Sequence, residues 1–352
     1  MELREFLRCA VERGGSDVFI IPGSHVTLKV EGRLEQISQQ RLTPAETEAL
    51  IGQAMTLAGR TQDALRENGD DDFSFAIKEL SRFRCNAYRQ RGTLAATFRV
   101  VTFGLPDAEE MQIPETVMQL AQERGGMILV TGPAGSGKST TLACLVDRIN
   151  STRGGHIVTI EDPIEFLHPH KKSLVSQREV PNDAPTFERA LRAAMRQAPD
   201  VLMLGEMRDA ETIRLAITAA ETGHLVLSSM HTLGAPRTID RIVDAFPAEQ
   251  QQQIRLQLSM ALCAVVSQRL IPSNDGRLVP VFEVMRSTTG VRALIREGHT
   301  YQLSNAISTS GARGMTMDGE LLRLAECGRI DEETAQRYAE YPDVMKKRFI
   351  KR

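Results

Sequence analysis

Tryptophan is missing from this 352-residue sequence, tyrosine occurs four times, and aromatic residues make up only 5% of the chain. Proteins that thread single-stranded nucleic acid stack bases on aromatic side chains in a basic groove. With a formal net charge of −2 there is no overall basic field either, so nucleic acid is not an expected partner. The five cysteines (Cys9, Cys85, Cys144, Cys263 and Cys327) are scattered and form no CxxC pair. That spacing excludes a zinc ribbon and fits a reducing compartment. Apolar runs of about 18 residues are missing too, so direct membrane insertion is not expected. The start, Met1-Glu2-Leu3-Arg4-Glu5, lacks the apolar stretch of a signal peptide, which makes a cytoplasmic protein the expectation.

What remains is ordinary for a folded protein, at 41% hydrophobic and 25% charged, and the length allows two cores. The first hundred residues predict a small α+β domain. A helix over 2–13 is followed by strands at 17–21 and 26–30, and Glu31-Gly32 after them reads as a hairpin turn. Thr43-Pro44-Ala45-Glu46 then carries a cap, a proline at the first helical position and an acidic first turn, opening a helix to about 59. Strands at 72–77, 81–88 and 94–101 complete the domain, 1–103. Prolines and acidic residues mark 104–117 as a linker.

From 118 to 352 the pattern becomes strand–helix alternation. Strands are expected at 127–131, 156–160, 201–204 and 225–229, and helices at 138–150, 186–197, 209–222 and 248–268, with a mainly helical tail from about 290. Such alternation predicts an α/β fold with a parallel sheet covered on both faces.

Gly132-Pro133-Ala134-Gly135-Ser136-Gly137-Lys138-Ser139 matches GxxxxGK[ST] without a gap, directly after an apolar strand and directly before a helix. That context separates a P-loop from a glycine-rich turn that merely joins two elements. Backbone N–H groups of the loop, continued by Thr140, would surround phosphate oxygens at a helix N-terminus. Lys138 would reach the β- and γ-phosphates and Ser139 would ligate Mg²⁺, so ATP with Mg²⁺ is the expected ligand.

Two acidic clusters follow later strands, Glu161-Asp162-Pro163-Ile164-Glu165 and Glu206-Met207-Arg208-Asp209. Ligands of doubly wound sheets bind beyond the carboxyl ends of the strands, so both clusters should face the phosphates. The strand-end aspartate usual in P-loop enzymes is missing, because Asp200 precedes its strand. Glu206 is therefore the expected carboxylate for Mg²⁺, and Glu165 the one for the attacking water. Glu161 stays open between a structural and a catalytic role, and Asp209 reads as a helix cap. His224 and His231 bracket the strand at 225–229. On geometry only His231, at the carboxyl end, can sense a γ-phosphate, whereas His224 can complement a helix dipole.

Four segments in combination, 132–139, Thr159–Phe166 (TIEDPIEF), 205–209 (GEMRD) and the histidine-bearing 220–232, resemble the ATPases of type II secretion and type IV pili. Within that group the sequence is most similar to the pilus-retraction branch, which powers twitching motility. The likeness covers nearly the whole chain. It implies a PAS-like α+β domain followed by a RecA-like ATPase domain, assembled as a homohexamer at the inner face of the cytoplasmic membrane. An inner-membrane pilus platform protein is the implied partner, with related pilus ATPases as further ones. The resemblance also adds His224 to His231 as a catalytic candidate, and adds Arg84 and Arg99, which the family brings onto nucleotide at the subunit boundary. On the bare sequence these arginines are only a basic strand pair at a solvated surface. The branch carries a C-terminal AIRNLIRE segment, here Gly290-Val291-Arg292-Ala293-Leu294-Ile295-Arg296-Glu297, which by periodicity alone is an amphipathic helix. Extension and secretion relatives usually carry a four-cysteine metal-binding insertion, which this sequence lacks. The alternatives are an extension or secretion ATPase, or a weakly active accessory ATPase that regulates a pilus motor.

Overall fold

The computed structural model describes residues 2–101, 104–309 and 314–350, and the expected domain limit at 103 lies outside them. The chain forms two compact units, Met1–Gly104 with Glu165–Leu167, and Leu105–Ile164 with His168–Arg352.

The N-terminal unit has the expected α+β character. It contains α1 (Leu3–Glu12), β1 (Asp17–Ile20), β2 (Thr27–Val30), β3 (Arg33–Gln36), α2 (Pro44–Leu57), α3 (Asp63–Asn68), β4 (Asp70–Ile77), β5 (Ser81–Gln90) and β6 (Thr93–Val101). The strands form an antiparallel sheet in the order β3-β2-β1-β6-β5-β4. Glu31 and Gly32, both at positive φ, close the β2–β3 hairpin, the turn geometry whose twist suits a two-residue loop. Helix α2 begins with a full capping box: Glu46 N–H donates to the Thr43 hydroxyl, and Thr43 N–H donates to the Glu46 carboxylate. Alternation along β4 puts Phe73, Phe75 and Ile77 into the core with Phe83 and Phe98 of the neighbouring strands.

The larger unit adds α4 (Glu115–Met118), β7 (Gly126–Thr131), α5 (Lys138–Thr152), β8 (His156–Glu161), β9 (Leu174–Glu179), α6 (Phe187–Ala194), β10 (Val201–Leu204), α7 (Ala210–Glu221), β11 (Leu225–Met230), α8 (Ala235–Asp244) and α9 (Ala248–Ala261). It ends with β12 (Leu262–Pro272), β13 (Leu278–Arg286), α10 (Thr289–Glu297), α11 (Leu303–Thr309), α12 (Met317–Glu326), α13 (Glu332–Tyr338) and α14 (Pro342–Ile350). Its seven strands run in the order β13-β12-β7-β11-β10-β8-β9, parallel except for β13, which pairs antiparallel with β12. The central strands are buried along nearly their whole length, as a sheet covered on both faces requires. One face packs Leu129, Ile160 and Leu204 against α6, α7 and α9; the other packs Val130, Met203 and Leu227 against α5. Ile113 and Val117, from the segment between the two sheets, are buried in that second core.

The reading of the sequence omits β3, β9, β13, α3, α4 and α8, and one element that it does contain differs in type. The helix expected over 248–268 ends at Ala261, and its last stretch is the strand β12. No glycine or proline separates the two, so the apolar pattern runs on unbroken. The β-branched pair Val265-Val266, however, is fully buried beside β7, where such residues pack well. Helix α10 has the expected two faces: Val291 and Ile295 are buried, while Arg292 and Arg296 are exposed. Among the described residues no helix is long and apolar enough to cross a membrane.

Candidate functional site: a P-loop at the carboxyl edge of the parallel sheet

Strand β7 ends at Thr131 and α5 begins at Lys138, so residues 132–137 form the turn between them. The Gly132 N–H donates to the Met230 carbonyl at 3.2 Å, fixing the start of the loop to the end of β11. Gly132 has φ of 147°, and a Cβ there would lie 2.1 Å from the Gln268 carbonyl oxygen, so only glycine fits. Pro133, Ala134 and Gly135 are exposed, Gly137, Ser139 and Thr140 are half-buried, and Ser136 is buried. The Ser136 hydroxyl is shielded and has no hydrogen-bond partner among the described residues. Lys138 is also buried, at 7% exposure. Its ammonium donates to the carbonyls of Gly132 at 3.0 Å and Pro133 at 2.9 Å.

Glu206 follows β10 and His231 follows β11, at the same edge of the sheet as the loop. The Glu206 carboxylate pairs with Arg208 on one oxygen and lies 3.4 Å from His231 Nε2 on the other. Burial alone would raise the Glu206 pKa, but hydrogen bonding and charge from Arg208, then from His231, hold it below the ordinary carboxylate value. An ionised carboxylate beside the Ser139-bearing loop suits a hard divalent cation, which typically takes one or two side chains plus substrate phosphates. Ser229 tightens this edge by donating to the Gly205 carbonyl at 2.6 Å.

The other candidates stand elsewhere. Glu161 is buried and accepts from the Thr159 hydroxyl at 2.6 Å and the Gln177 amide at 3.1 Å. Glu165 is exposed and belongs to the three-residue segment that groups with the N-terminal unit. Asp209 caps α7 by accepting from Thr212 N–H at 2.8 Å. Asp200 accepts from His156 N–H at 2.7 Å, at the amino end of the strands. His224 sits at that amino end as well, with Nδ1 2.9 Å from the Ala219 carbonyl at the close of α7. The six residues of β11 separate it from His231, about 20 Å. Arg84 and Arg99 are neighbours across β5 and β6. Arg99 Nε donates to the buried Asp17 at 2.9 Å, and Arg84 lies 3.9 Å from the exposed Asp72.

Sequence reasoning misses Gln268, which lies under the loop. Its side-chain oxygen accepts from the Thr141 hydroxyl at 2.7 Å, and its backbone carbonyl faces Gly132. It went unseen because it falls where a helix is expected. On the adjacent strand Glu283 is 4% exposed and accepts from the N–H of Ala235, the first residue of α8, at 3.1 Å. Both residues line a cleft of about 380 Å³. Burial first, and then Glu340 and Asp318, push the Glu283 pKa up to about 7 from 4.5, against the bonds from Ala235 and Met317. A carboxyl raised in the folded state favours folding fully below its unfolded value, and that contribution is lost as pH rises to about 7. A shift of this size corresponds to about 3 kcal/mol. Glu283→Gln is therefore expected to gain stability relative to the parent between pH 5 and pH 8. Urea unfolding at the two pH values tests this, and parallel pH dependence of the two proteins would contradict it.

A Walker-type loop at the carboxyl edge of a parallel sheet, with an ionised glutamate and a histidine beside it, defines a P-loop ATPase. Within that class the chain belongs to the Type II/IV secretion system protein family, whose model matches residues 2–341. It is 43% identical over 344 residues to the Type IV pilus retractation ATPase PilT of Pseudomonas aeruginosa, spanning 97% of this chain and 99% of that one. The Twitching motility protein of Neisseria gonorrhoeae is 42% identical over 320 residues, 90% of this chain and 85% of that one. Among solved structures, the pilus retraction motor PilT with bound ADP superposes with a TM-score of 0.90 at 41% identity, over 99% of both chains.

Proposed function

We propose that this chain is the ATP-hydrolysing subunit of a homohexameric motor that retracts type IV pili and so powers twitching. The observation that carries the reading is the likeness to a pilus retraction motor over 99% of both chains, N-terminal unit included. In this reading the ring works in the cytoplasm against the inner face of the membrane, and hands its motion to an inner-membrane pilus platform protein, alongside related pilus ATPases.

At the site, backbone N–H groups of residues 132–140 and the Lys138 ammonium hold the phosphates. Lys138 must exchange the Gly132 and Pro133 carbonyls for phosphate oxygens. The Ser139 hydroxyl and Glu206 would hold Mg²⁺, which would supply positive charge to the phosphates. Glu165 orients the attacking water or takes its proton. His231, already against Glu206, can report the γ-phosphate to that carboxylate. His224 enters by the family pattern only, since within the chain it caps α7. Arg84 and Arg99 neutralise transition-state charge from the neighbouring subunit.

The division of labour between the carboxylates is testable. Glu165→Gln and Glu206→Gln are both expected to bind ATP and to turn over slowly, Glu165→Gln slower by about 10²–10⁴-fold, the usual range for a lost acid–base group. Only Glu206→Gln should also require more Mg²⁺ for half-maximal rate. Identical Mg²⁺ titrations of the two variants would refute this allocation.

A further inference from the structure

The larger unit carries a second cleft, of about 640 Å³, on the edge of the sheet away from the P-loop. Its position follows from register. Arg286 lies opposite Ala264 on β12, which pairs with Ile128 near the start of β7, whereas the P-loop follows the end of β7. The walls are polar: Arg286, Ser287, Thr288 and Arg292 on one side, Thr116 and Glu123 on another, and Cys263 between.

Two guanidinium groups converge here against one carboxylate. Arg286 donates to the Thr116 carbonyl at 3.2 Å and lies 3.7 Å from Glu123. Arg292 donates to the Ser287 hydroxyl at 3.3 Å, which holds its side chain over the same cleft. Burial, then Glu123, raises the Cys263 pKa, against the backbone bond at Met127 and the charges of Arg292 and Arg286. Helix α10 starts at this wall. Its first-turn N–H groups lack intrahelical acceptors, and of these Val291 N–H is taken by the Thr288 hydroxyl. The Thr116 hydroxyl is shielded from water and has no partner among the described residues.

We propose that this cleft binds a phosphorylated small anion, with Arg286 and Arg292 as its charge-bearing contacts. Guanidinium groups suit phosphate geometry, and a helix N-terminus adds favourable potential. The volume exceeds one phosphate group and falls within the range of small-ligand sites. The same chemistry is presented by a soluble phosphate ester and by the headgroup of an anionic phospholipid, and binding separates them.

Glycerol 3-phosphate is titrated calorimetrically into the full chain, and the chain is co-sedimented with phosphatidylcholine vesicles that contain or lack phosphatidylglycerol. Saturable binding is expected in at least one arm. Binding of the ester without vesicle capture identifies a soluble ligand, and capture only with phosphatidylglycerol identifies a lipid headgroup. Arg286→Gln and Arg292→Gln are each expected to weaken binding about tenfold or more, whereas Lys138→Ala, in the P-loop, leaves it intact. Arg292 is exposed, so its substitution keeps the test valid if Arg286→Gln unfolds. Lack of binding in both arms, or equal binding by the parent and Arg292→Gln, overturns the proposal, as does loss of binding in a folded Lys138→Ala protein.

Discussion

Lys138→Ala is expected to lower ATP turnover by about 10²–10³-fold or more, the scale seen when one donor to developing transition-state charge is removed. From sequence alone the substitution looks harmless to the fold, as a lysine in an open loop. The structure corrects this, because Lys138 is buried and ties down two carbonyls of its own loop. Losing charge-assisted bonds of this kind costs about 1.5–3 kcal/mol. A lower unfolding midpoint should therefore accompany the lost activity, with unfolding still cooperative. The two readouts together separate loss of a phosphate contact from loss of the fold. Near-parent hydrolysis by the variant would contradict the phosphate-site assignment.

The second large effect concerns the N-terminal unit. Arg84→Ala and Arg99→Ala are each expected to reduce turnover strongly, since arginines that neutralise transition-state charge in related chemistry contribute about 10³–10⁵ in rate. The two differ in structural cost. Arg99→Ala removes a partner from the buried Asp17, to which the Ser16 hydroxyl still donates. Arg84 lies 3.9 Å from the exposed Asp72, so Arg84→Ala leaves no buried carboxylate behind and is the cleaner probe. If the arginine serves the neighbouring subunit, mixing Arg84→Ala chains with Lys138→Ala chains regenerates intact composite sites. In a random equal mixture of ring subunits with head-to-tail contacts, about a quarter of the boundaries carry both intact halves. Activity should then return to a comparable fraction of the parent rate. In mixed rings verified by differential tags, activity no higher than that of the separate variants would mean that each arginine acts on its own chain.

Much of this architecture is legible in the residues. Strand β7, the P-loop and α5 follow one another as an apolar run, a glycine-rich turn and a helix, and each local preference agrees with the final structure. Glu206 and His231 are readable as neighbours because the strands before them are parallel, so both loops emerge at one edge. Tertiary contacts hide the rest. Strand β12 carries an apolar pattern that a helix could also satisfy, and its pairing with β7 and β13 decides the outcome. Gln268 and Glu283 gain their roles from that pairing, which places one under Gly132 and the other at the start of α8. Nothing local to either residue signals those positions.

The central claim, a motor that retracts pili, is tested most directly by deleting the gene in its host and examining surface pili and twitching together. The account predicts cells that still carry surface pili, in normal or increased number, and that no longer twitch. Cells without pili would point instead to an extension motor, and cells that twitch normally would contradict a role in retraction.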